Sequence, residues 1–106
     1  MHVSSLFQKS SLTIQSAQTA SDIYLALKDF FTVYPQFSTN DFFVTGESYG
    51  GVYVPTLTRL LIQKIQAKDI NLNLVGMSIG NGMISTIQDI RSLPDFMYFH
   101  GIYGKA

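Results

Sequence analysis

The run "NDFFVTGESYGGVYVPTLTRL" places one serine, Ser48, between Gly46 and Gly50, behind an apolar stretch and ahead of a segment with helical patterning. A serine in that setting has two chemical readings. As a nucleophile, its oxygen attacks a carbonyl carbon, provided a base takes its proton and N–H donors hold the developing oxyanion. As a turn residue, its hydroxyl caps the free N–H groups of the helix behind it. The spacing suits the first reading for a steric reason. A chain that reverses from strand to helix within a few residues leaves the middle residue on a strained corner, its side chain projecting outward. Gly46 and Gly50 have no Cβ, so strand and helix can close around that corner. The backbone N–H of Tyr49 would then point to where a tetrahedral oxyanion forms.

A nucleophilic serine needs a base and a group to orient it. After Ser48 the chain offers Asp89 or Asp95 and then His100, the order acid then histidine. The elements argue against this trio. In the fold such a corner implies, the acid and the base follow later strands, and only one strand follows Ser48 here. His100 is therefore read as a packing or turn histidine, and His2, in a stretch without clear periodicity, receives no role.

The elements around Ser48 follow from periodicity. In "SDIYLALKDFFTVYPQF", Ile23, Leu27, Phe30, Phe31 and Tyr34 recur at helical spacing, Ser21 suits the N-cap, and Pro35 predicts an end near Val33 or Tyr34. "DFFVT" is short and apolar on consecutive positions, as in a parallel strand buried on both faces. The following helix carries Val54, Leu57, Leu61 and Ile65 on one side. Its Pro55 is tolerated only near a helix start, so this helix begins close to Ser48. "NLNLVGMSIGNG" predicts a second strand ending in a glycine turn, and "LPDFMYFHG" one or two helical turns ending at Gly101. The order helix, strand, helix, strand predicts an α/β fold with a parallel strand pair. Residues 1–20 form a poorly determined lead-in, and residues 21–106 a partial α/β domain.

Composition narrows the function classes. Charged residues are only 13% of the chain and aromatics another 13%, so much of its surface suits contact with other parts of a larger fold. The net charge is zero, which gives no support for a nucleic-acid partner. There is no cysteine, hence no disulfide, thiolate metal site or cysteine nucleophile, and nothing calls for a metal or a cofactor. "GNG" at residues 80–82 does not extend to a dinucleotide loop, because Ser85 stands where the third glycine would be. The first twenty residues lack the continuous apolar core of a signal peptide, and no run approaches the ~20 apolar residues of a membrane span.

The strand, G-x-S-x-G, helix arrangement is the nucleophile elbow of α/β-hydrolases. "TGESYGGVYVPTL" resembles the active-site segment of the serine carboxypeptidases, a family with that fold. "YLALKDFFTVYPQF", "NLVGMSIGNG" and "DFMYFHGIYG" resemble its flanking segments, so the likeness covers about residues 20–104 and is greatest to the lysosomal type. It implies release of C-terminal residues from peptides through an acyl-enzyme on Ser48. It implies Tyr49 as an oxyanion-hole donor whose ring lines the adjoining subsite, Glu47 as a partner of the substrate's terminal carboxylate, and Met83 as a wall of the same pocket. Two carboxylates attract only if they share a proton, so Glu47 is expected to be buried and neutral, favouring action in acid. The likeness also implies a peptide with a free C-terminus as partner and a lysosomal or secreted location. The family's other oxyanion segment lies upstream of anything present, and its acid and histidine lie far downstream. The chain is thus expected to be a central fragment that needs the remainder of the protein and is inactive alone. An acyltransferase of the same fold and a non-catalytic binding homologue are the alternative readings.

Overall fold

A computed structural model describes the backbone of residues 3–104 and the side chains of residues 15–104, so His2 lies outside the described residues. Helix α1 (Val3–Val33) leads through a 3-10 turn (Pro35–Phe37) to strand β1 (Phe42–Glu47). Helix α2 (Gly50–Gln66) then crosses to strand β2 (Leu74–Gly80), and helix α3 (Thr86–Phe99) follows. The strands pair in parallel from Phe42↔Leu74 to Glu47↔Gly80, with one irregularity between Phe42 and Phe43. This is a mixed α/β arrangement with a parallel strand pair joined through a helix. Among the described residues no helix is long and apolar enough to cross a membrane.

Helix α1 ends at Val33, as Pro35 requires, but it begins far ahead of Ser21, which lies inside the helix. Local bonds carry it through that position: Thr19 Oγ1 donates to the Gln15 carbonyl at 2.9 Å, and Gln18 Nε2 to Asp22 Oδ1 at 2.9 Å. Its packed face also differs from the expected one. Ser16, Ala20 and Tyr24 are buried, and Leu27 and Phe31 pack behind them, whereas Ile23, Phe30 and Tyr34 are exposed. The packed face of α1 thus mixes small residues, Ser16 and Ala20, with the large Tyr24. Phe30 and Tyr34 are not idle, because their rings pack on each other at 5.1 Å.

The core lies between α1, α2 and the sheet. Leu61 has 0% of its surface exposed, and Val54, Leu57, Val44, Ile70 and Leu72 surround it. Val54, Leu57, Leu61 and Ile65 do share one side of α2, as their spacing predicts. Two-sided burial of β1 is not found. Val44 is buried, while Phe43, beside it on the opposite face, is 54% exposed. A polar cluster ties the layers together at one end. Asp69 accepts hydrogen bonds from Tyr24 Oη at 2.6 Å, from Lys64 Nζ at 3.0 Å and from Lys28 Nζ, and Lys64 also lies 4.9 Å from the centre of the Tyr24 ring. These bonds, the one from Lys28 foremost, hold the Asp69 carboxyl well below the usual carboxylate range.

Helix α3 is longer than the helical turn or two expected there. Ser85 Oγ accepts from the Gln88 N–H at its start, and the His100 N–H closes its end on Phe96 O. Pro94 sits inside it without ending it. No other helix or strand packs on α3 among the described residues.

Candidate active site

Ser48 stands between the last residue of β1 and the start of α2, and its backbone is left-handed, with φ at 55°. That region costs a residue with a Cβ roughly 1–2 kcal/mol, so it persists only where the surroundings enforce it. Two backbone bonds do so. The Ser48 N–H donates to Gly80 O at 3.1 Å, and Ser48 O accepts from the Met83 N–H at 2.8 Å. The side chain is exposed, so the serine is not tucked into a regular helix or strand. Its hydroxyl has no hydrogen-bond partner among the described residues, which also excludes the capping role.

Gly46 is required by close approach. A Cβ there would lie 2.7 Å from Val54 Cγ2 and 3.2 Å from the Cα of Gly50. At Gly50 an added Cβ would make only an ordinary contact, 3.8 Å from Val54 Cγ2. The second tight position is Gly51, where a Cβ would come within 2.5 Å of Met83 O. The steric demand on the helix side thus falls one residue later than the G-x-S-x-G spacing suggests.

Tyr49 begins the helical path with φ −64° and ψ −9°, and its N–H has no acceptor among the described residues. Its ring is half-buried against Tyr53, centre to centre 5.0 Å. Ser48 opens into a cleft of about 320 Å³ lined also by Asn81, Gly82, Met83 and Asp89. The structure therefore brings Met83 to the same cleft as Ser48. Glu47 is exposed and does not line that cleft, so the burial expected of it is not provided by the described residues.

The remaining candidates separate. Asp89 lines the cleft from the first turn of α3, while Asp95 does not. His100 is engaged at the far end of that helix. Its Nδ1 lies 2.8 Å from Phe96 O and its ring stacks on Phe96 at 4.0 Å. Among the described residues no histidine lines the Ser48 cleft, so its only titratable wall is the Asp89 carboxylate. No group of side chains suited to a metal ion occurs among the described residues. Asn81 escaped the sequence reading. It is left-handed too, with φ at 48°, and its signal lay in the "GNG" turn that ends the second strand, where no role was given to the residue between the glycines.

Residues 4–106 match the family model described as serine carboxypeptidase. The chain belongs to the serine carboxypeptidase family. It is 45% identical over 88 residues to the lysosomal protective protein of Mus musculus, covering 83% of this chain and 18% of that protein. It is 43% identical over 82 residues to a venom serine carboxypeptidase of Apis mellifera, covering 76% and 17%. It is 41% identical over 87 residues to serine carboxypeptidase 1 of Hordeum vulgare, covering 80% and 17%. The chain thus spans less than a fifth of the length of each of these relatives.

Proposed function

We propose that this family member carries the nucleophile segment of a serine carboxypeptidase, with Ser48 as the acyl-accepting residue. The observation that carries the reading is the left-handed, exposed Ser48 at the strand-to-helix corner, facing a cleft. Ser48 Oγ attacks the carbonyl carbon of the last peptide bond and gives its proton to a base. The carbon becomes tetrahedral, and its oxyanion takes a hydrogen bond from the unengaged Tyr49 N–H. The C–N bond then breaks, the C-terminal residue leaves with a proton on its amine, and water hydrolyses the acyl ester on Ser48. Met83 walls the cleft beside that bond, while the Tyr49 ring and Glu47 lie outside its lining and would meet the adjoining residue and the terminal carboxylate of the substrate only once the remainder of the protein covers them.

The base and its orienting acid belong, on this reading, to a longer protein of which the chain is a central part. The coverage of the relatives and the distant engagement of His100 support that view. The names of two relatives, lysosomal in one and venom in the other, support a lysosomal or secreted setting.

The test is release of the C-terminal residue from a peptide by the longest translated product that contains this segment. Ser48→Ala is expected to lower kcat by roughly 10⁴-fold or more. Undiminished release by that variant contradicts the assignment. The segment alone, treated with a fluorophosphonate, is expected to show no stoichiometric adduct on Ser48. A full adduct would mean that the segment supplies its own base.

A further inference from the structure

Met83 apart, the turn that follows β2 has no role in the chemistry above, yet it touches the backbone of Ser48 on both sides. Gly80 O receives the Ser48 N–H at 3.1 Å, and the Met83 N–H reaches Ser48 O at 2.8 Å. Between those two contacts the chain makes a left-handed step at Asn81. The turn is also wedged against the start of α2. A Cβ on Gly51 would meet Met83 O at 2.5 Å and Met83 N and C at 2.7 Å. A Cβ on Gly82 would lie 2.2 Å from Ile79 Cγ2 and 3.4 Å from the Cα of Gly51. Two left-handed residues, Ser48 and Asn81, thus follow the ends of adjacent parallel strands, and the residues on either side of the Asn81 step, Gly80 and Met83, bond to the backbone of Ser48.

We propose that the Gly80–Met83 turn is a positioning element that locks Ser48 in its left-handed corner, with Asn81 and Gly82 as the residues that let the turn reach it. The proposal rests on Ser48 being the nucleophile, but its geometry can be read without any catalysis. An unclamped Ser48 would relax to a right-handed or extended backbone, which is lower in energy for any residue bearing a Cβ. Its oxygen would then swing away from the Tyr49 amide. Asn tolerates the left-handed region better than most residues, Gly better still, and a β-branched residue scarcely at all. Asn81 is therefore a positioning residue through its backbone, and its side chain is free to face the cleft.

The test is amide hydrogen exchange, with the intraresidue amide–Hα nuclear Overhauser effect of Ser48, which is strongest at positive φ, on the 106-residue chain and its variants. In the unaltered chain the Ser48 and Met83 amides are expected to be protected together and the Overhauser effect to report positive φ. Gly51→Ala, which displaces the Met83 backbone, should lower protection of the Ser48 and Met83 amides by roughly five- to tenfold or more. The ladder amides further from the corner should keep theirs. Asn81→Gly should retain both signals, whereas Asn81→Val should lose them and return Ser48 to negative φ. Free exchange of both amides in the unaltered chain overturns the proposal. So does an Asn81→Val chain whose Ser48 stays left-handed. Should Gly51→Ala unfold altogether, the Asn81 pair and the unaltered chain decide the matter. Because none of these readouts involves substrate, a failure of the carboxypeptidase reading would appear separately, as peptide release that survives Ser48→Ala.

Discussion

Helix α2 and helix α3 have similar amphipathic sequences but opposite fates. Helix α2 buries Val54, Leu57 and Leu61 between α1 and the sheet. Helix α3 carries Ile87, Ile90, Leu93, Phe96 and Phe99, all of them exposed, with Phe99 at 80%. What holds α3 is local: the Ser85 cap, the His100 end, and Tyr103 Oη donating to Pro94 O at 2.7 Å. The comparison separates a helix fixed by tertiary packing from one fixed by its own ends. It also explains why the corner at Ser48 is so well defined. That corner lies on the packed side, where β1, α2 and the turn after β2 meet.

The largest expected contrast comes from cutting each helix's apolar face. Leu61→Ala removes a side chain with no exposed surface and should cost ~2–5 kcal/mol of stability, measured by denaturant unfolding. Phe99→Ala should change it by less than ~0.5 kcal/mol, as expected of an exposed position. A comparable loss at Phe99 would mean that α3 packs on something in solution.

The Asp69 cluster gives the packed side a pH signature. Its folded-state pKa lies below the ordinary 3.8, so its contribution is fully present above that value and is lost as the pH falls through the depressed folded value. Tyr24 and Lys28 are shifted upward by the hydrogen bond to Asp69, so their contributions are present below about 10 and lost in strong base. Thermal melts should therefore fall off below about pH 4, where Asp69→Asn should flatten the acid limb. An unchanged acid limb in that variant would remove the cluster from the account. Helix α3 has no such cluster among the described residues, and its circular-dichroism signal should change less over the same range. The smallest effect should come from Ser85→Ala. Loss of that cap is expected to cost ~0.5–1 kcal/mol, read as lost helicity confined to α3 in site-resolved chemical shifts. A shift in the unfolding of α2 would contradict the separation.

Much of the packed side was legible in the sequence because its signals are steric. Pro35 ends α1 near Val33, Pro55 keeps the start of α2 close, and glycines flanking a serine after an apolar run imply a corner. What was hidden depends on partners. The forward reach of α1 rests on small residues at Ser16 and Ala20, which carry little periodic signal, and Ser21 looked like a cap because nothing in its neighbours forbids one. The length of α3 was masked by Pro94, although Ser85 and Gln88 carry the spacing of a capping pair. The exposure of Glu47 and Phe43 could not be read locally, since it depends on what covers the sheet rather than on the strand itself. Of the candidate site, the strand-to-helix corner at Ser48 and the position of the amide that follows it were readable from spacing. The grip of the β2 turn on Ser48 was not, because it joins residues more than thirty positions apart.

The central claim is that Ser48 is held in a strained backbone for the sake of its exposed oxygen. The most direct measurement is the unfolding free energy of Ser48→Gly against Ser48→Ala. Alanine keeps the left-handed penalty and glycine relieves it, so the glycine variant should be the more stable by about 1 kcal/mol, the reverse of the usual ranking. If the alanine variant proves equal or more stable, residue 48 is not left-handed in solution and the nucleophile corner does not exist as described.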